Sequence, residues 1–244
     1  MRQYESVISA LEQLGGYATL GELYQKALAM PEVKKWGTKT PCATIRRIVQ
    51  EREGKELFKI RPGLWALESY RKQLPAPLLA KKETQAKSKE VQLFDHTYYQ
   101  GLLVQLGNLQ KFITYVPAQD KNRLFLGRDK LADFVTTTQM PAFTYPDITG
   151  RVKSIDVIWF NNRKLPKAVF EVEHSTDIKN SLIKFAELED FRIEMKIVAD
   201  EYRKREFEQV MASRVFESVK NLVGFWGYQK LSKTYDSNCN RYSI

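Results

Sequence analysis

The sequence predicts an α/β protein: a mixed sheet flanked by helices, preceded by a smaller helical domain that ends in a hairpin. Three observations carry this. Apolar residues recur at helical spacing through the first fifty residues. Leu57-Phe58-Lys59-Ile60 and Leu64-Trp65-Ala66-Leu67 then flank Arg61-Pro62-Gly63, the pattern of two short strands and a tight turn. From Leu93 onward, apolar runs short enough for strands alternate with helical periodicity, as in an α/β core.

The elements follow in order. Tyr4, Val7, Ile8, Leu11 and Leu14 lie on one helical stripe, which Gly15-Gly16 ends. Thr19 caps a second helix running through Ala29, with Glu22 three residues on as in a capping box. Residues 30–40 read as a polar loop. Thr40-Pro41 then opens a third helix to about Gln50, with proline at the first helical position and Ile45, Ile48 and Val49 inward. Three helices and a hairpin over residues 1–68 make a winged helix; small domains of this pattern serve either DNA binding or protein interaction.

Residues 69–92, with Lys72, Pro75, Pro77, Lys81, Lys82, Lys87 and Lys89, predict a basic linker that is helical in its second half. The second domain spans 93–244. Tyr98, Leu102, Leu103, Leu106 and Leu109 mark a long helix. Strands are expected at 123–126, 133–136, 154–160, 167–173, 193–198 and 223–226. Ile178, Leu182, Phe185 and Leu188 give a further helix, 201–222 at least one more, and a short helix ends the chain.

Lys and Arg number 39 against 29 Asp and Glu, a net charge of +10, which favours a polyanionic partner. Residues 1–90 hold 17 of the basic and 10 of the acidic side chains, so the first third is the stronger electrostatic handle. Cys42 and Cys239 are far apart and lack metal-ligand spacing, as expected of reduced thiols. With no apolar 18-residue span and no signal-peptide pattern, the expectation is a soluble, cytoplasmic protein without a membrane partner.

The chemistry is concentrated where two apolar runs carry carboxylates. Asp156 precedes Val157-Ile158-Trp159-Phe160, and Phe170-Glu171-Val172-Glu173 follows about fifteen residues on. Side chains alternate along a strand, so Glu171 and Glu173 share one face. Carboxylates are seldom buried without a partner, and hard oxygen ligands suit Mg2+, with Mn2+ as a substitute. A strand pair would bring Asp156 and Glu171 onto one Mg2+, helped by the Val172 carbonyl. Glu173 would take a second ion or position the attacking water. The competing reading has Asp156 capping a turn and the glutamates facing solvent on an edge strand. His174 is an ordinary hydrogen-bonding histidine or a proton shuttle. His96 and Gln100 either lie near the site from the long helix or cover its surface. Ser175, Thr176 and Asp177 can cap the helix that follows. No glycine-rich phosphate loop is present.

Asp156, a spacer and Glu171-Val172-Glu173 resemble the metal centre of the PD-(D/E)XK nuclease superfamily, which includes most type II restriction endonucleases. The resemblance covers residues 93–226. It implies Asp156 and Glu171 as metal ligands and catalytic residues, with Glu173 where lysine usually stands. It also implies hydrolysis leaving 5′-phosphate and 3′-hydroxyl ends, with a homodimer on DNA as one way to cut both strands.

Residues 1–68 are similar to the HARE-type helix-turn-helix domain. Leu14-Gly15-Gly16, Gly37-Thr38-Lys39-Thr40-Pro41 with Thr44-Ile45, and the stretch from Phe58 to Leu67 carry the match. It implies recognition of double-stranded DNA, with modified cytosine as one candidate feature. Lys39, Thr40, Arg46 and Arg47 on the third helix and Lys59 and Arg61 on the wing are the candidate DNA contacts, each equally readable as a solvated residue. The function expected is a sequence- or modification-specific, Mg2+-dependent DNA endonuclease of the restriction type. The alternatives are a non-catalytic DNA-binding regulator and a structure-specific DNA or RNA nuclease.

Overall fold

The computed structural model describes residues 2–79, 89–174 and 177–242. Residues 80–88, which hold most of the linker half expected to be helical, and Ser175 and Thr176 lie outside the described residues. The chain divides into two compact units, Met1–Thr84 with Ser232–Ile244, and Gln85–Leu231.

In the first unit, α1 (Gln3–Gln13), β1 (Tyr17–Thr19), α2 (Leu20–Ala29), α3 (Pro31–Lys34) and α4 (Pro41–Glu51) lead to β2 (Leu57–Arg61) and β3 (Leu64–Leu67). Thr19 Oγ1 accepts from the Glu22 N–H at 3.2 Å while Glu22 returns a carboxylate to the Thr19 N–H at 2.8 Å, the expected capping box. Thr40 sits at the start of α4 but makes no side-chain cap; Pro41 alone fixes that helix start. Two features depart from expectation. Pro31–Lys34 forms a helical turn within the polar loop. Tyr17–Thr19 forms a strand that pairs antiparallel with β3, so the hairpin is part of a three-stranded sheet ordered β1-β3-β2. The linker begins with structure too, as α5 (Ala76–Leu79).

Residues from Ser232 belong to this unit rather than to the expected 93–244 domain. The reason is packing. Tyr235 is buried with its hydroxyl 3.4 Å from Thr19 Oγ1, and a Cβ on Gly21 would collide with that hydroxyl.

The second unit contains α6 (Lys89–Leu109), β4 (Ile113–Tyr115), β5 (Leu124–Phe125), β6 (Asp129–Lys130), α7 (Pro146–Val152), β7 (Val157–Phe160), β8 (Pro166–Glu173), α8 (Ile178–Ala186), β9 (Glu194–Ala199), α9 (Lys204–Met211), β10 (Val223–Gly227) and the start of α10 (Tyr228–Tyr242). Its five-stranded sheet is ordered β10-β9-β8-β7-β4 and is mixed: β10, β9 and β8 run parallel, β7 and β4 antiparallel to their neighbours. Burial on both faces explains why β7 reads as an unbroken apolar run. One face packs Ile158, Phe160, Val169, Met195 and Ile197 against Ile178, Leu182 and Phe185 of α8.

The expected strand at 133–136 is absent. Leu131–Asp133 is a 3-10 turn, and the chain beyond it is held to β4 largely by side chains. Thr136 Oγ1 accepts from the Thr114 N–H at 2.7 Å, and Asn108 Nδ2 donates to the Phe134 carbonyl at 2.7 Å. Hydroxyl and amide groups that capture the backbone in this way compete with a regular ladder. Among the described residues, no helix is long and apolar enough to cross a membrane.

Candidate metal centre

β7 and β8 pair antiparallel with Val157 opposite Phe170, a register that extends to place Asp156 opposite Glu171. β8 is the central strand of the five, and Glu171 and Glu173 are each 3% exposed. An edge strand with glutamates in solvent is therefore excluded. Asp156 caps no turn; its Oδ2 accepts from the Val172 N–H at 2.8 Å. Val172 thus reaches the site through its N–H, whereas the sequence suggested its carbonyl.

Helix α8 closes over the acids. Lys184 Nζ donates to both oxygens of Glu171, at 2.9 and 3.0 Å. Ser181, one turn earlier, donates its hydroxyl to Glu171 Oε2 at 3.1 Å and also bonds Glu173 Oε1. Arg203 Nη1 lies 3.9 Å from Glu173 Oε2. None of Lys184, Ser181 and Arg203 belongs to the set expected from sequence. The signal for two of them was available: Ser181 and Lys184 are three apart and continue the stripe set by Ile178, Leu182 and Phe185.

Helix α6 and the loop after β4 supply the other side. His96 Nε2 faces Asp156 Oδ1 at 3.4 Å, too long for a good hydrogen bond. Gln100 Nε2 donates to Asp120 Oδ2 at 2.9 Å and to the Asp156 carbonyl at 2.8 Å, and these two acceptors fix the orientation of its amide. Arg123 Nη1 stands 3.0 Å from Asp120 Oδ1. The expectation that His96 and Gln100 lie near the site matches these positions.

His174 is not aimed at the acids. Its ring contacts the Tyr228 hydroxyl at 3.0 Å. Burial, with a further push from the His96 charge, lowers it to about 4, so it is neutral near pH 7. That favours a hydrogen-bonding role.

The electrostatics are those of buried acids held by cationic neighbours: Lys184 at Glu171, Arg203 near Glu173, Arg123 at Asp120 and His96 beside Asp156. Burial, then the Asp156 charge, raises Glu171 well above the usual carboxylate range even though Lys184 opposes both. Burial would raise Asp156 too. The His96 charge outweighs it, with the Val172 N–H and Lys184 adding to it, so Asp156 stays below its ordinary value. Within this coupled pair Asp156 is the ionised member and Glu171 the one that takes up a proton first. Moreover, His96 Nε2 and Asp120 Oδ1 make no hydrogen bond among the described residues. The convergence of His96, Asp120 and Asp156, with Glu171 opposite Asp156, fits a divalent cation.

Residues 73–244, well over half of the chain, match the family described as the type II restriction enzyme NmeDI C-terminal domain. The chain belongs to this family. Within the NmeDI C-terminal domain family, type II restriction enzyme NmeDI of Neisseria meningitidis serogroup C is 31% identical over 100 residues, which is 39% of this chain and 28% of that protein. The match thus covers less than a third of that relative's length. No solved structure matches the chain. The family match takes in every residue of the acidic centre and leaves most of the first unit outside it.

In the first unit the expected DNA contacts divide. Lys39, Thr40, Arg47 and Lys59 are exposed and Arg46 is half-buried. Arg47 pairs with Glu51 at 2.9 Å, and Lys59 lies over the Trp65 ring. Arg61 is a correction. It is 8% exposed, and its guanidinium donates to the carbonyls of Ile60 at 3.0 Å, Pro77 at 3.3 Å and Leu78 at 3.4 Å. An arginine engaged on three carbonyls ties the segment after β3 to the sheet and is not presented to DNA.

Proposed function

We propose that this chain is a Mg2+-dependent endonuclease that hydrolyses phosphodiester bonds of duplex DNA in a restriction system. In this reading the second unit is a nuclease of the PD-(D/E)XK type and the first a winged-helix DNA reader of the HARE type. The observation that carries it is the burial of Asp156, Glu171 and Glu173 beside the central strand, with the Lys184 ammonium on Glu171. Similarity to the type II restriction enzyme of Neisseria lends further support.

Asp156 and Glu171 would hold the ion. When bound, it supplies polarisation of the scissile phosphate and lowers the pKa of a coordinated water. The protein's own contributions are separable. The Val172 N–H fixes one oxygen of Asp156 and leaves Oδ1 facing the site. Ser181 bridges Glu171 and Glu173, setting both carboxylates. Lys184 supplies a donor and positive charge from α8, the role that lysine has at the Glu173 position in the common pattern. Glu173, paired with Ser181 and facing Arg203, serves to hold the proton-accepting side of the site rather than a lone base. Lys39, Arg46, Arg47 and Lys59 with Thr40 would engage the duplex, phosphate contacts supplying affinity and arginines any base readout.

Digestion of unmodified and cytosine-modified duplex DNA with Mg2+, Mn2+ or EDTA tests this. Cutting should need the divalent ion and should vanish in Asp156→Ala and Glu171→Ala, with duplex binding retained in gel shift. Salt-sensitive binding without cutting by the parent protein would instead identify a non-catalytic regulator. Preference for branched DNA or RNA would identify a structure-specific nuclease. Sedimentation with and without DNA reports whether a homodimer forms on the duplex.

A further inference from the structure

We propose a second cation site, formed by His96, Asp120 and Asp156, that selects a transition-series ion such as Zn2+ or Mn2+ over Mg2+. It lies beyond the nuclease reading, which it touches only through the shared Asp156. One ligand atom from each residue lies within 4.8 Å of the other two, a spread that closes by roughly 1 Å onto a single ion at about 2.0–2.2 Å from each ligand.

The atoms that would bind are those not engaged in hydrogen bonds to neutral groups. In both aspartates the Oδ2 oxygen is already engaged, Asp120 by the Gln100 amide and Asp156 by the Val172 N–H. The Oδ1 of Asp156 points to His96, and the Oδ1 of Asp120, a residue 1% exposed, makes no hydrogen bond although Arg123 Nη1 is 3.0 Å away. The Nε2 of His96 makes none either. A buried ring nitrogen without a hydrogen bond is rare, and here it stands beside two aspartate oxygens held only by ion-pair contacts to His96 and Arg123 among the described residues. Gln100 is wholly buried and bonds both the Asp120 carboxylate and the Asp156 carbonyl, the kind of outer support that orients metal ligands.

The donor set defines the ion. Asp156 and Glu171 are all oxygen, which suits Mg2+. Replacing one oxygen with an imidazole nitrogen moves the preference toward Zn2+, Mn2+, Co2+ or Ni2+. Binding requires His96 to be neutral, so its proton leaves to solvent as the ion enters, and Arg123, about one-third exposed, swings away from Asp120.

The chain has only two histidines, which makes the test direct in the unmodified protein. Imidazole resonances are followed by NMR during titration of the full chain with Zn2+ alone, then with Mg2+ alone. Near-stoichiometric Zn2+ should shift the His96 ring, assigned with His96→Gln, well beyond any movement of the His174 ring 6.4 Å away; Mg2+, which reaches His96 only through the shared Asp156, should need millimolar concentration and move it less. Zn2+ affinity by calorimetry should fall about 10- to 100-fold in Asp120→Asn and stay within twofold in Glu171→Gln. An unmoved His96 at Zn2+ saturation, or a shift confined to His174, overturns the proposal. Loss of Mg2+-dependent cutting in Glu171→Gln with the His96 response intact leaves it standing, so its failure and that of the nuclease reading are told apart.

Discussion

Lys184 places its ammonium 2.9 and 3.0 Å from the two oxygens of Glu171, across thirteen residues and from a different element. It is the nearest thing the site has to a resident cation. Burial alone would lower the ammonium, yet Glu171 by charge and hydrogen bond, with Asp156 and Glu173, holds it above its ordinary range, so it is charged throughout the neutral region. Lys184→Met removes that charge and leaves Glu171 to take up a proton. The cutting rate should fall by about two to four orders of magnitude, as for loss of a positioned charged donor, while gel-shift affinity for duplex DNA stays unchanged. Rates within tenfold of the parent would remove Lys184 from the reaction.

The acidic centre was legible in the sequence because a strand repeats every two residues. Glu171 and Glu173 interrupt an apolar run at that spacing, and Asp156 precedes another. His96 was one candidate and Lys184 lay on a readable helical stripe, but Asp120 and Arg203 were not legible, since they come from a loop and a turn that only the tertiary fold brings to the acids. The same limit governs the elements. Thr19 and Glu22 predict α2 to the residue because the capping box is local. β1, three residues long, exists only because β3 is there to pair with it. Pro146, at the first position of α7, is a local start signal that the expected elements do not use. The error at 133–136 comes from the strand propensity of Phe134, Val135 and Thr136, where Asn108 and Thr136 instead bond the backbone through side chains.

Arg47 and Lys59 are exposed, basic and in the unit proposed to read DNA. Each phosphate that a side chain neutralises adds roughly 0.9 to the slope of log affinity against log salt, so removing that side chain should flatten the slope by as much. Arg47→Ala and Lys59→Ala are expected to weaken duplex binding about equally across sequences, measured by fluorescence anisotropy from low to moderate salt. An unchanged slope in both variants would move the duplex elsewhere on the protein.

Arg61 should behave in the opposite way. Its guanidinium satisfies the carbonyls of Pro77 and Leu78, and removing it leaves buried acceptors unpaired. Arg61→Ala should cost about 1–3 kcal/mol of stability in urea denaturation while the salt slope of DNA binding stays at the parent value.

Gly101 on α6 tests the packing that carries His96. Alanine in a helix normally gains about 1 kcal/mol over glycine. Here a Cβ would run into the ring of Phe125, which is fully buried, stacked on Tyr98 and edge-on to Phe134. Overpacking of this kind costs about 1–3 kcal/mol, so Gly101→Ala should lower the urea midpoint rather than raise it.

Asp236 sets a pH dependence on the first unit. It is buried with Oδ1 making no hydrogen bond among the described residues, and burial raises its carboxyl from 3.8 to about 7 against the opposing charges of Arg46 and Lys59. The folded state therefore holds the proton more tightly than the unfolded chain. Its contribution is complete below pH 3.8 and is lost as pH rises through about 7. Three pH units correspond to roughly 4 kcal/mol, taken as an upper bound. Asp236→Asn keeps the shape of the neutral acid without the titration. The variant should match the parent near pH 4 and exceed it by up to that amount at pH 8, read from urea midpoints at the two pH values. A parent whose midpoint relative to the variant does not fall between them would show that Asp236 ionises freely in the fold, with Arg46 and Lys59 neutralising it in place.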